Sequence, residues 1–280
     1  MTYITLILAI LITRFAPGLC GTWGDVAFRR WHNFLRPGGD KDGSDDLRFY
    51  ALIALPVVAL AVSLALLHSG GWRFAAHAIS FVVLLCCFGV TDLRARIDAY
   101  VTALNRNDLQ GAYRGAMTFG SEQAENWDQL HQRTLRAIAR AYFQCYFPVI
   151  FWFALLGAPG ALLYRLLSLY RRRARHELDG VRLDRLLAML EWLPLRLFGL
   201  SLALVGNWQA TMEPLLRSLK TLTEPPGDIL AKFVAASLQG VDTASEDTPA
   251  KEVAELEALP ALVDRALISW IAVLGVVAVA

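Results

Sequence analysis

The stretch Phe143–Leu156, FQCYFPVIFWFALL, is followed by Gly157-Ala158-Pro159-Gly160 and then by ALLYRLLSLY, residues 161–170. Together these residues are long enough to cross a membrane, because a spanning helix needs about 20 predominantly apolar residues. The charged sequence RRRAR, residues 171–175, comes directly afterwards. The stretch therefore predicts a membrane-embedded protein whose charged residues gather at one side of the membrane.

The overall composition agrees with a membrane protein. Of the 280 residues, 56% are hydrophobic and 19% charged, whereas soluble domains average about 45–50% apolar and about 25% charged residues. The formal net charge is only +2, so we expect no nucleic-acid partner. Four cysteines lie in or beside apolar segments without metal-ligand spacing, which predicts buried thiols and no metal site: Cys20, Cys86, Cys87 and Cys145.

The predicted fold class is all-α, a polytopic helical integral membrane protein formed by one domain, residues 1–280. The first apolar segment lacks the basic start and the cleavage site of a signal peptide, so we expect an uncleaved anchor. The segment that contains Arg196 is left open as a crossing. Six segments are candidates for the membrane: 1–16, 49–67, 74–90, 143–167, 193–205 and 266–280. Regions 91–142 and 171–265 are predicted to be helical and cytoplasmic.

The orientation follows from the basic residues, because loops rich in lysine and arginine resist translocation. The turn between the second and third segments holds Arg73 alone. The loop before the second segment and the region after the third are both basic, which places them in the cytoplasm and the N-terminus outside. The basic residues of the first loop are Arg14, Arg29, Arg30, Arg36, Lys41 and Arg48.

Two topologies remain open for residues 143–175. A plain crossing would place the arginines of RRRAR outside, against the basic bias, and would need a second crossing at Leu193–Val205. Alternatively, the break at Gly157–Gly160 separates two half-helices, Phe143–Leu156 and Ala161–Tyr170, of a re-entrant hairpin with both ends inside. Irregular backbone at membrane depth is tolerated where protein or a water-filled cavity satisfies it.

Two arginine clusters flank this segment. Three arginines share one face of the helix that enters the membrane at Phe143, and the others follow Tyr170. We expect them to contact the phosphates of membrane lipids or a recruited anionic small molecule. They are Arg133, Arg136, Arg140, Arg171, Arg172, Arg173 and Arg175.

Sequence signatures of common soluble enzymes are missing. The chain contains no G-x-x-x-x-G-K-[ST] phosphate loop, no H-E-x-x-H zinc motif and no G-x-S-x-G nucleophile motif. Catalytic residues stay unknown, and whether the protein is an enzyme stays open.

Three short motifs, in their order and spacing, resemble the AmpE family. They are Arg106-Asn107-Asp108, the PVIFW of residues 148–152, and the LEWLPLRLFG of residues 190–199. The resemblance implies a multi-pass protein of the bacterial inner membrane, usually encoded beside the AmpD amidase. It also implies a role in the induction of chromosomal β-lactamase and in peptidoglycan recycling.

A more distant resemblance links the chain to the CobD/CbiB synthases of cobalamin assembly. Arg182-Leu183-Asp184 and Pro194-Leu195-Arg196 are similar to their A-R-x-D-D…P-A-R stretch, but Arg185 replaces the second aspartate. Their acidic run before the fourth segment has no counterpart, since Tyr142–Phe147 is uncharged. A synthase-like reaction would imply a nucleotide with Mg²⁺ as cofactor.

Two functional classes follow from these resemblances. One is a non-enzymatic modulator of β-lactamase induction, and the other is a membrane enzyme acting on a phosphorylated or amphipathic small molecule. Intramembrane charges such as Glu191 and Arg196 are a functional hypothesis by default, although a structural ion pair is the alternative. We expect a ligand-binding set to converge at the cytoplasmic membrane face: Arg106, Asn107, Asp108, Arg182, Asp184, Glu191 and Arg196.

Overall fold

The computed structural model describes residues 2–15, 26, 30–31, 45–88, 91–106, 108–120, 126–171, 177–220, 224–239 and 248–279. Within these ranges every regular element is a helix, which confirms the predicted all-α class. In chain order the helices are α1 (Thr2–Phe15), α2 (Asp45–Ser69), α3 (Arg73–Cys87), α4 (Thr91–Asn105), α5 (Leu109–Met117), α6 (Trp127–Arg171), α7 (Glu177–Val205), α8 (Trp208–Lys220), α9 (Pro226–Ser237) and α10 (Thr248–Val279).

Three of the described helices are long and apolar enough to cross a membrane. The qualifying stretches are Gln129–Arg171 in α6, Gly180–Val205 in α7 and Ala254–Val276 in α10. The apolar parts of α1, α2 and α3 are shorter, and they cover Tyr3–Thr13, Ile53–Ser69 and Arg73–Cys87. The protein is therefore a helical membrane protein, and the number of its crossings stays a prediction.

Two described helices extend beyond the membrane segments predicted within them. The apolar segment predicted at 193–205 is the second part of a continuous helix, whose membrane-length stretch already begins at Gly180. The last helix begins at Thr248, and its membrane-length stretch begins at Ala254, ahead of the predicted membrane segment 266–280. Both stretches therefore start inside the region 171–265 that was predicted as cytoplasmic. Scattered charged residues shortened the predicted segments, although a long helix accommodates a few of them.

The chain divides into two compact units, and both α6 and α7 contribute to each of them. The first unit contains Met1–Thr91 and Pro148–Leu190, and the second contains Asp92–Phe147 and Glu191–Ala280. Each unit is described by itself below.

A sharp break interrupts α6 at Gly157. Its backbone angles, φ 68° and ψ −158°, belong to a region that is essentially restricted to glycine. Pro159 follows two residues later and has no N–H to donate to the carbonyl oxygen of Leu155. The helix break predicted at Gly157–Gly160 is thus confirmed, while the re-entrant path of the chain stays a prediction.

In the first unit, α3 packs against both α1 and α2. The turn between α2 and α3 contains Gly71 with φ 80°, which confirms the predicted hairpin turn. The indole N–H of Trp152 donates to the carbonyl oxygen of Leu190 at 3.2 Å and so ties α6 to α7. Several large apolar side chains of α2 are exposed, as a lipid-facing helix requires: Leu55, Val58, Val62 and Leu66.

An aromatic cluster forms the core of the second unit. The ring centroid of Phe147 lies 4.2 Å from that of Phe198 and 5.2 Å from that of Trp270. Phe143 stacks on Phe147 with a centroid distance of 6.2 Å. The indole N–H of Trp270 donates to the hydroxyl of Ser201 at 2.8 Å. These contacts join α6, α7 and α10 around one apolar core.

Candidate functional site

Arg196 is a buried arginine of the second unit, with only 5% of its surface exposed. Its guanidinium donates from Nη2 to the carbonyl oxygen of Ser218 at 2.7 Å and from Nη1 to that of Trp192 at 2.9 Å. Its Cζ also lies 4.2 Å from the centroid of the Trp192 ring, a cation–π geometry. Protein groups therefore hold the guanidinium that was predicted to bind a ligand.

Glu191 is 1% exposed and lies one and a half turns before Arg196 on α7. Its Oε1 accepts a hydrogen bond of 3.0 Å from the amide Nε2 of Gln144 on α6. A buried carboxylate requires hydrogen-bond donors, because an unpaired buried charge is very costly. This contact joins two membrane-length helices by polar side chains within the second unit.

In the first unit, Asp184 forms a forked ion pair with Arg171. Arg171 donates from Nε to Oδ1 at 2.6 Å and from Nη2 to Oδ2 at 2.8 Å. Both carboxylate oxygens are thus engaged, in the bidentate arrangement for which arginine is suited. The side chains are 39% and 50% exposed, so the pair lies at the surface of the unit. Arg182, on the same helix, is also exposed.

The motif at residues 106–108 marks the start of α5. The carboxylate of Asp108 accepts a hydrogen bond of 2.9 Å from the backbone N–H of Gly111, so Asp108 is the N-cap of that helix. Arg106 is exposed, and its backbone N–H donates to the carbonyl oxygen of Thr102 at 3.2 Å. Asn107 lies outside the described residues.

The arginines of α6 that were predicted to contact anions differ in environment. Arg133 and Arg136 are exposed, and Arg140 is half-buried against the first turn of α9, where a Cβ at Gly227 would lie 2.8 Å from its Nη1. Arg136 also lines a cavity of about 930 Å³ between α6, α9 and α10 in the second unit. Arg172, Arg173 and Arg175 lie outside the described residues.

The predicted convergence of Asp108, Asp184 and Arg196 stays a prediction, because Asp184 belongs to the first unit and the other two to the second. The structure gives each of the three its own protein partner, namely Gly111, Arg171 and Ser218. Asp184 was predicted to bind a ligand and Arg171 to contact anions, whereas the structure pairs the two side chains with each other.

Two polar residues of the membrane helices were missed, the buried Arg165 and the half-buried Gln144. Arg165, in the part of α6 after the break, is only 4% exposed. The sequence could have identified Arg165, because it is the one arginine within the apolar run Ala161–Tyr170. An intramembrane charge is by default a functional candidate. Gln144 had no such signal, because a lone glutamine before an apolar run does not reveal its partner.

Potential metal ligands are dispersed. In the described part of the chain, no three histidine, cysteine, aspartate or glutamate side chains lie close enough together to hold a metal ion.

Comparisons with known proteins identify two groups of relatives. The chain is 29% identical over 200 residues to the cobalamin biosynthesis protein CobD of Stutzerimonas stutzeri, covering 68% of this chain and 64% of that protein. It is 27% identical over 168 residues to CobD of Chromobacterium violaceum, covering 58% and 48%. The chain thus spans about half to two thirds of the length of these two relatives.

The second group is named AmpE. The chain is 25% identical over 205 residues to protein AmpE of Shigella flexneri, covering 66% of this chain and 71% of that protein. No solved structure matches the chain significantly. The family model described as regulatory signalling modulator protein AmpE matches residues 45–278, from the start of α2 almost to the end of α10. The chain belongs to the AmpE family.

Proposed function

We propose that the protein is an accessory protein of the bacterial inner membrane that modulates β-lactamase induction and peptidoglycan-recycling signalling alongside the AmpD amidase. Membership of a family described as regulatory signalling modulators supports this role. Its membrane-length helices support a site of action at the membrane. In this role the exposed Arg133 of α6 contacts anionic lipid headgroups on the cytoplasmic side.

The engagement of Asp184 by Arg171 is the observation that carries the proposal. A magnesium-dependent ligation needs carboxylates that are available to the metal, because Mg²⁺ is held by oxygen ligands. Arg171 occupies both oxygens of Asp184 at 2.6 and 2.8 Å, and Asp108 caps α5. Two acids that an enzyme of this kind would use are therefore held in structural contacts. A non-enzymatic modulator does not need these acids to be available.

The alternative function is a membrane enzyme related to the CobD/CbiB synthases that acts on a phosphorylated or amphipathic small molecule. The 29% identity to CobD of Stutzerimonas stutzeri favours it. A nucleotide with Mg²⁺ would be its cofactor. Among the described residues, however, no cluster of acids fits such a metal.

An induction assay tests the proposed role. The gene would be deleted from a strain with inducible chromosomal β-lactamase, and enzyme activity would be measured with and without inducer. We expect the deletion to change induced activity and the plasmid-borne gene to restore it. Unchanged induction in the deletion strain would contradict the proposal.

A growth assay tests the alternative. The same plasmid would be placed in a strain that lacks the cobalamin synthase and grows only when corrinoid assembly is complete. We expect no growth, because Asp184 and Asp108 are engaged in structural contacts. Growth would make the enzymatic function the primary one.

A further inference from the structure

A cavity of about 930 Å³ lies in the second unit, between the beginning of α6, the whole of α9 and the beginning of α10. Its volume is typical of pockets that bind small molecules, which measure roughly 300–1,000 Å³. On α6 the cavity ends at Ala139, before the apolar part of that helix. Its polar walls therefore lie at one end of the membrane-length stretches of α6 and α10.

Three of the charged groups in this cavity already have partners. The ammonium of Lys232 donates to Oε2 of Glu224 at 2.9 Å. Oε2 of Glu255 lies 3.8 Å from Nε2 of His131, a residue that is 4% exposed. These contacts leave the cavity with one further cation and one further carboxylate.

Arg136 and Asp228 are these two remaining groups. Both line the cavity, Arg136 on α6 and Asp228 in the first turn of α9, and both side chains are exposed to it. Neither side chain has a hydrogen bond or an ion pair with any residue that the structure describes. A guanidinium and a carboxylate thus face one cavity without compensating each other through a direct contact.

We propose that this cavity binds an amino acid or a short peptide that carries a free amino group and a free carboxylate. The guanidinium of Arg136 binds the carboxylate, because its planar fork matches the two oxygens. Asp228 binds the ammonium group, with Glu255 as a second carboxylate on the same cavity wall.

The balance of charge favours a carboxylate over a phosphate group. Three carboxylates line the cavity, against two cations, of which Lys232 is already paired with Glu224. One arginine compensates a monoanion, whereas a phosphate dianion would be left in repulsion with the neighbouring acids.

The uncharged walls suit the body of a peptide. The amide side chains of Gln132 and Gln239 can both donate and accept hydrogen bonds, as peptide groups require. Leu135 and Leu238 supply apolar surface between them. The proposal concerns only the ligand class of this cavity and stands without the proposed role in β-lactamase induction.

Binding to the unaltered protein is the first test. The full chain, purified in detergent, would be titrated by calorimetry with tri-alanine, with N-acetylated tri-alanine, with tri-alanine amide and with inorganic phosphate. We expect tri-alanine to bind and each blocked peptide to bind about tenfold more weakly, because each has lost one charge-assisted hydrogen-bonding group. Phosphate should not compete.

Substitutions assign the two groups. Arg136→Gln should weaken the binding of tri-alanine about tenfold but leave the binding of tri-alanine amide unchanged, because the amide has no carboxylate to lose. Asp228→Asn should likewise weaken the binding of tri-alanine about tenfold but leave the binding of the N-acetylated peptide unchanged. Glu257→Gln serves as the control, since this side chain is exposed on α10 outside the cavity lining, and we expect binding like that of the unaltered protein.

Three outcomes would overturn the proposal. They are no binding of tri-alanine at millimolar concentration, equal binding of the free and the blocked peptides, and tighter binding of phosphate than of tri-alanine. None of these outcomes depends on the β-lactamase assay, so failure of the ligand and failure of the proposed function are distinguishable.

Discussion

The guanidinium of Arg196 donates a hydrogen bond of 2.7 Å to the carbonyl oxygen of Ser218 and thereby caps the C-terminal end of α8. The final carbonyl groups of a helix have no partner within the helix, and a cation near them is favourable for the helix dipole. Arg196 therefore connects α7 to α8. This structural role accounts for a charged residue in an apolar segment, and no ligand is needed to explain it.

Replacement of Arg196 should destabilise the protein. We expect Arg196→Ala to lower the free energy of unfolding by about 2–4 kcal/mol, because two hydrogen bonds from a charged group are lost in a buried site. Arg196→Lys should recover little, since one ammonium cannot bind both carbonyls and also cover the Trp192 ring. Thermal unfolding in detergent measures the effect. Arg185→Ala is the matched control, an exposed arginine of the same helix; equal losses for both variants would contradict the anchoring role.

Glu191 and Gln144 should show coupled energetics. Glu191→Leu or Gln144→Leu alone leaves the partner side chain without this hydrogen bond, whereas the double variant removes both polar groups. We expect the double variant to be more stable than the sum of the single effects by about 0.5–3 kcal/mol. A double-mutant cycle of unfolding free energies measures this coupling energy. Strictly additive effects would show that the 3.0 Å contact contributes no coupling.

Gly199 allows the close approach of α7 to α9. A Cβ at this position would lie 2.5 Å from Cε2 of Phe233, a ring that is fully buried. Gly199→Ala should therefore destabilise by about 1–3 kcal/mol through overpacking, despite the better helix propensity of alanine. Gly180→Ala is the matched control, because its Cβ would come no closer than 3.7 Å to Arg171. A stabilising Gly199→Ala would disprove the close packing.

The local features of the fold could be predicted from the sequence. Gly157 and Pro159 predicted the break in α6. Gly157 adopts backbone angles that are essentially restricted to glycine, and Pro159 has no backbone N–H to donate. The turn after Ser69 was predicted by Gly70 and Gly71 between two apolar runs. In each case the residues that cause the feature are neighbours in the chain.

The contacts of the candidate site could not be predicted in the same way. Arg196 and Ser218 are 22 residues apart on different helices, and Gln144 and Glu191 are 47 apart. Helical periodicity gives the face on which a side chain lies, but not the helix that packs against that face. Asp184 was accordingly grouped with ligand-binding acids, although its partner is Arg171.

The membrane topology is tested by reporter fusions. Fusions after Arg48, Arg140 and Arg175 should report the cytoplasm, and one after Ser69 the periplasm, because basic segments resist translocation. Paired reporters that are active on opposite sides of the membrane provide the measurement. A periplasmic signal after Arg175 would exclude the re-entrant path and favour a plain crossing by α6.

The central claim is that the chain modulates induction while Asp184 serves only in its pair with Arg171. Its most direct test is β-lactamase activity after induction in the deletion strain carrying the unaltered gene, Asp184→Asn or the control Asp98→Asn, with membrane abundance measured in parallel. We predict that all three restore the same induction, because an exposed ion pair contributes only about 0–1 kcal/mol. Loss of induction by Asp184→Asn alone, at normal abundance, would contradict the account and assign Asp184 to ligand or metal binding.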